Sequence, residues 1–210
     1  MPKEAKTEAI VITPPKFEVA DFLIKGTAPL VQHKFSEKSR KQMLADQQKL
    51  GGAKGKKRDP RDIETEYKAA MHIGEDGSYG IPCAAFRSAM IDACRAAGFQ
   101  MTKAKMSVFC LPDTIDVDEG VPLVKLHGEP EVNESAVRLE SGVASISIRP
   151  MWREWKAKVR LQWDGEQFSH NDIANLLSRA GMQVGVGEGR PYSKKSHGMG
   201  WGTFELINEE

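Results

Sequence analysis

No apolar run in this sequence approaches the roughly 20 residues that a bilayer-spanning helix needs. The N-terminus, MPKEAKTEAIVITPP, has no hydrophobic signal-peptide core, so the chain reads as cytoplasmic with no membrane partner. Cysteine is scarce: Cys83, Cys94 and Cys110 are odd in number and lack paired ligand spacing, which argues against a disulfide framework and for reduced, buried thiols. His33, His72, His127, His170 and His197 form no metal-ligand pattern, and no Ser/His/Asp order is legible, so no metal and no cofactor are expected. There is no G-x-x-x-x-G-K-[ST] loop. The one glycine-rich candidate, GVGEGR, follows a helical pattern and precedes a strand, the reverse of a dinucleotide fingerprint.

What the chain does have is segregated charge. The formal net charge is only +1, yet His33 to Arg58 carries nine Lys/Arg against Glu37 and Asp46. Asp113 to Glu140 carries eight acidic residues against Lys125 and Arg138. Separation of this kind points to an interaction surface, with a solubilising lysine loop as the competing reading. A second cationic stretch lies near the C-terminus. Residues 185–206, GVGEGRPYSKKSHGMGWGTFEL, contain six glycines with Arg190, Lys194 and Lys195 among them.

Periodicity supplies the layout of a single domain over residues 1–210. Residues 16–26, KFEVADFLIKG, read as a strand. Residues 34–78 then read as a projecting basic insertion, helix-permissive to Leu50 and dissolving into GGAKGKKRDPRD. Phe86, Ala89, Met90, Ala93, Cys94 and Ala97 recur at helical spacing, and Gly98 ends that helix. KMSVFCL and VPLVKLHG read as short strands around the acidic loop PDTIDVDEG, and residues 111–142 as a partly acidic loop and hairpin region. In KAKVRLQW, Ala157, Val159, Leu161 and Trp163 share one face, and Lys156, Lys158 and Arg160 share the other. Ser169 is a helix N-cap with Asp172 three residues on, Ile173, Leu176, Leu177 and Ala180 form the apolar stripe, and Gly181 stops the helix. GTFELI is the last strand. The order is βαββαβ, which predicts an α+β, ferredoxin-like (RRM-like) domain with a long basic insertion after the first strand. Two helices would cover one sheet face, leaving Lys156, Lys158, Arg160 and Arg149 on or near the open one.

Three stretches resemble the RAMP superfamily, the repeat-associated RNA-binding proteins whose backbone-type members build CRISPR effector complexes. They are FEVADFLIKGTAPLVQHKF, EDGSYGIPCAAFRSAMIDAC and GVGEGRPYSKKSHGMGWGTFEL, in family order at both ends and the middle of the chain. The resemblance implies that the glycine loop lies beside the first strand and the helix start, close to a sugar-phosphate backbone. It implies that Arg87, in PCAAFRS, stands for the family's lysine at the helix start. No aspartate matches the one that cleaving members carry after the first strand, so target cleavage is not implied.

The expected function is therefore single-stranded nucleic-acid binding, RNA foremost, without catalysis, by copies assembling side by side along the ligand as a homo-oligomer or filament, with other complex subunits as further partners. The residues expected to contact it are His33, Lys34, Lys38, Arg40, Lys41, Lys54, Lys56, Lys57, Arg58, Arg87, Arg149, Lys156, Lys158, Arg160, Gly187, Gly189, Arg190, Tyr192, Lys194 and Lys195. Tyr192 or Trp201 would stack a base. Three alternatives stand beside it: a metal-independent endoribonuclease using His33 as acid or base, a single-stranded-DNA-binding or recombination protein of a virus or mobile element, and a protein-only interaction module.

Overall fold

The computed structural model describes residues 14–34, 62–138, 144–193 and 198–208. It is a mixed α+β protein. Among the described residues there are two mostly antiparallel sheets and four α-helices.

The larger sheet is organised around two long strands, β1 (Phe17–Gly26) and β9 (Lys156–Asp164), paired antiparallel from Phe17↔Asp164 to Lys25↔Lys156. Strand β10 (Phe204–Ile207) closes the far side of β1. The other side of β9 is shared. Its C-terminal half pairs with β4 (Val108–Leu111), and its N-terminal end with β6 (Pro122–His127). Strand β6 also pairs with β3 (Gly80–Pro82) and β5 (Thr114–Ile115). A smaller sheet, β2-β8-β7, joins β2 (Leu30–Val31), β8 (Ala144–Trp152) and β7 (Glu131–Arg138).

Period two decides which face of β9 is core. Ala157, Val159, Leu161 and Trp163 are essentially inaccessible, as the alternation predicts. The long amphipathic helix α2 (Cys83–Ala96) buries Phe86, Ala89, Met90, Ala93 and Cys94 against that core. It ends one residue before Ala97, which is exposed. Helix α4 (His170–Arg179) buries Ile173, Leu176 and Leu177, and Ser169 and Asp172 form both bonds of a capping box. Burying side chains of this size contributes about 1.5–3 kcal/mol each.

Several expectations change. Gly181 does not stop α4: the chain continues through a π-helical turn, Ala180–Val184. Gly181 is needed instead because a Cβ there would lie 2.2 Å from the Phe204 carbonyl oxygen of β10. Residues 101–107 form a helix, α3 (Met101–Ser107), where Lys105–Ser107 read as strand. Residues 62–78, read as part of a projecting insertion, are packed. Asp62 caps α1 (Ile63–Ala69), Tyr67 Oη donates to the Pro130 carbonyl at 3.0 Å, and Ala70 and Met71 are buried. Residues 62–78 thus belong to the folded body because apolar Ala70, Met71 and Tyr67 pack there. Residues 35–61, with most of the basic charge, lie outside the described residues. In the 111–142 region, read as partly acidic loop and hairpin, β5, β6 and β7 are paired strands. Cys83 and Cys94 are buried, Cys110 is partly so, and all three are free. No helix among the described residues is long and apolar enough to cross a membrane.

Candidate nucleic-acid interface

The glycine loop folds back on β2. Glu188 N–H donates to the Val31 carbonyl at 2.9 Å, Val186 N–H to Gly202, and Gly202 N–H to Pro29 at 2.7 Å. Gly187 and Gly189 have φ of 80° and 73°, a region that side-chain-bearing residues avoid. A Cβ on Gly187 would lie 2.5 Å from the Val31 carbonyl oxygen, and one on Gly189 2.6 Å from the Trp201 ring. The close approach these glycines permit is to the protein itself. As direct ligand contacts they are corrected to packing positions, and Trp201 is a packing partner of Gly189. Tyr192 remains 45% exposed, with its hydroxyl accepting from Arg95 Nη1 at 3.1 Å. Arg190 Nε donates to the Tyr192 carbonyl and its Nη1 to the Gly187 carbonyl, both at 3.1 Å.

This loop lies beside β2 and the start of α2. Between them is a cleft of ≈ 390 Å³, within the size range of small-ligand sites. Gln32, His33 and His72 line one part of it, Pro82 and Ala85 the helix start, and Glu188, Arg190 and Ser193 the loop side. On its rim, Arg149 Nε donates to Glu188 Oε2 at 3.0 Å, and Arg149 Nη2 lies 3.1 Å from His33 Nε2. A guanidinium only donates, so His33 Nε2 holds its lone pair toward Arg149 and its proton sits on Nδ1, 3.4 Å from Glu188. Burial, then the Arg149 charge, push the His33 pKa down against the pull of Glu188. His33 is neutral, with its basic nitrogen engaged by Arg149.

Lys34 is the clearest correction. Its ammonium is buried and donates to both Asp116 oxygens at 2.9 and 3.0 Å and to Asp118 at 2.7 Å. Burial opposes its charge, but the two carboxylates outweigh burial and raise its pKa. It binds no phosphate from that position. The Asp116 side chain has no exposed surface. It also accepts the Asp118 and Glu119 N–H groups and His72 Nδ1 at 2.9 Å. Burial raises its pKa, and these donors reverse the shift, holding it at about 2. Lys34, His72 and Asp116 are far apart in sequence, with no local motif to signal the cluster.

The outward face of β9 does carry Lys156, Lys158 and Arg160, with Lys156 exposed. Their charge is partly met, because Asp21 on β1 accepts from Arg160 at 2.7 and 3.2 Å and lies 3.5 Å from Lys158. The same face presents Phe17 and Val19, 44% and 53% exposed, and Phe17 meets Phe109 edge-on at 5.9 Å. These aromatics escaped the sequence reading, although Phe17 and Val19 share a parity opposite to core Phe22 and Ile24. Arg87 is not directed at a ligand. Its Nε donates to the Val108 carbonyl at 2.9 Å, its Nη2 to the Lys105 carbonyl, and its guanidinium lies over the Phe109 ring. Lys38, Arg40, Lys41, Lys54, Lys56, Lys57, Arg58, Lys194 and Lys195 lie outside the described residues. Among the described residues no cluster of three or more His, Cys, Asp or Glu side chains is arranged to hold a metal ion.

No family model matches the chain, and no curated protein sequence does.

Proposed function

We propose that the protein binds single-stranded nucleic acid, RNA foremost, without cleaving it, and that the cleft is where the strand is gripped. The support is convergence. His33, on the cleft, stands two residues before the stretch 35–61, which carries nine Lys/Arg against Glu37, Asp46 and Asp59. Ser193, also on the cleft, immediately precedes Lys194 and Lys195. The basic stretch 35–61 and the Lys194–Lys195 pair thus both adjoin residues that line this one cleft, whose rim Arg149 and Arg190 also occupy. Phosphate contacts from such stretches supply sequence-independent affinity, and the aromatic outward face with Phe17 and Phe109 offers stacking surface.

A finer fold reading accompanies this. Strands β1, β4, β9 and β10 with α2 and α4 follow the connectivity βαββαβ in the spatial order β10-β1-β9-β4, which supports a ferredoxin-like unit and, with it, a relationship to RAMP proteins. The smaller β2-β8-β7 sheet is an elaboration of that unit. Side-by-side assembly on the strand follows from the same reading. Much of the acidic region is met within the chain, Asp116 by Lys34 and Asp113 by the Lys125 N–H, so the ligand rather than charge pairing between copies would organise the array.

Filter binding of one sequence as single-stranded RNA, single-stranded DNA and duplex tests the proposal. Preference for single strands, weakening as salt rises, is the expected result. Equal retention of duplex, or none of any form at low salt, would overturn it.

A further inference from the structure

His72 is a polar residue of the cleft held through both its backbone and its ring. Its backbone N–H donates at 3.1 Å to Oε1 of Gln32, which is 4% exposed and whose Nε2 donates to the Gly80 carbonyl at 2.7 Å. Its ring Nδ1 lies 2.9 Å from Asp116, a carboxylate kept ionised by Lys34 and two backbone N–H groups. An ionised carboxylate only accepts, so Nδ1 carries a proton toward Asp116, and in the neutral imidazole the lone pair is on Nε2. That nitrogen has no partner among the described residues, and the ring lines the cleft. Six groups from three separate stretches of chain therefore hold His72 at the cleft wall.

We infer that His72 Nε2 accepts a hydrogen bond from a ribose 2′-hydroxyl, making the cleft selective for RNA over DNA. This rests on the binding proposal above and deepens it. A strand backbone offers few neutral donors. Phosphate and ring oxygens only accept, and the 2′-hydroxyl is the donor that RNA has and DNA lacks. Cleavage by the same imidazole is disfavoured, because it needs a second group to protonate the leaving 5′-oxygen. The other imidazole in the cleft, His33, is held neutral by burial and Arg149. Gln32, Asp116 and Lys34 act through His72 and are positioning residues.

The test uses the full chain and one short pyrimidine sequence made as RNA, as DNA and as 2′-O-methyl RNA, with binding read by fluorescence anisotropy and folding by melting temperature. Two variants separate the ring's two ends. His72→Asn can keep an N–H toward Asp116 but has no atom at the Nε2 position, whereas His72→Gln reaches that position with an amide oxygen. The wild type should bind RNA about 3- to 10-fold tighter than DNA, the range of one neutral hydrogen bond, with 2′-O-methyl RNA binding like DNA. His72→Asn should lose that margin by weakening RNA alone, and His72→Gln should recover part of it. Equal wild-type affinity for RNA and DNA would overturn the assignment while leaving the binding proposal standing. So would an equal loss on all three strands in His72→Asn, or 2′-O-methyl RNA binding like RNA. Shortening of the RNA during incubation would replace recognition with cleavage. Failure to bind any strand at low salt would overturn the binding proposal itself.

Discussion

Asp116 and Asp21 each sit between two basic side chains, Asp116 between Lys34 and His72 and Asp21 between Arg160 and Lys158. The distances are similar. What differs is water: the Asp116 side chain has no exposure, while that of Asp21 is 36% exposed. In the buried cluster each partner is indispensable to the others, because removing one strands a charge in a poorly solvated site. On the open face water replaces any lost partner, so the pairing is worth little to the fold and its cations remain available to an anionic ligand. Residue types that look alike in the sequence thus divide into a device that holds the cleft and a surface that is free to trade partners.

The largest effect should come from breaking the buried cluster. Asp116→Ala should cost about 3–5 kcal/mol in a urea titration, the usual cost of stranding one partner of a buried pair. The double change Lys34→Met with Asp116→Leu should recover much of it. A loss below 1 kcal/mol in Asp116→Ala would erase the contrast with Asp21. The same carboxylate gives a pH signature. Its folded pKa is depressed to about 2, below the unfolded value of about 3.9. Its stabilisation is therefore complete above about 4 and is lost as pH falls toward 2, so the stability gap between wild type and Asp116→Asn should close over that window.

Next in size is the glycine loop. Gly202 has φ of 67°, and a Cβ there would lie 1.8 Å from the Val186 carbonyl oxygen. Gly198 has φ of 65° with nothing within 4 Å of the added atom. Both alanine variants incur the backbone cost, about 1–3 kcal/mol, but only Gly202→Ala adds a backbone clash. Thermal melts should rank it clearly below Gly198→Ala. Equal melting temperatures would mean that the loop yields freely.

The smallest stability change belongs to Asp21→Ala, within about 1 kcal/mol. Its informative readout is binding. Releasing Arg160 and Lys158 should tighten single-strand binding and steepen its salt dependence by about one phosphate contact. An unchanged salt slope would remove the open face from the interface.

Elements governed by local rules were legible in the sequence. The capping box at Ser169, the stripe of α2 and the alternation of β9 each depend on neighbours two to eight residues away. The glycine loop was legible as the segment between the last helix and the last strand. Its glycines were misassigned because positive φ and close approach look the same in sequence whether the neighbour is a ligand or Val31. The Lys34–Asp116–His72 cluster was not legible at all. It depends on the chain bringing together residues 34, 72 and 116, and a lysine in a basic stretch gives no sign that it will be buried. Lys105–Ser107 read as strand because they run directly into β4, while helix α3 is set by its packing, with Ala104 and Ser107 buried.

The central claim, that single strands are gripped where the cationic stretches meet the cleft, is tested most directly by the salt dependence of binding to a labelled single-stranded RNA. The account predicts measurable affinity at low salt and a linear fall of log K with log salt concentration. Its slope should be about −0.7 per phosphate neutralised, corresponding to several contacts. No detectable binding at low salt, or an affinity indifferent to salt, would contradict it.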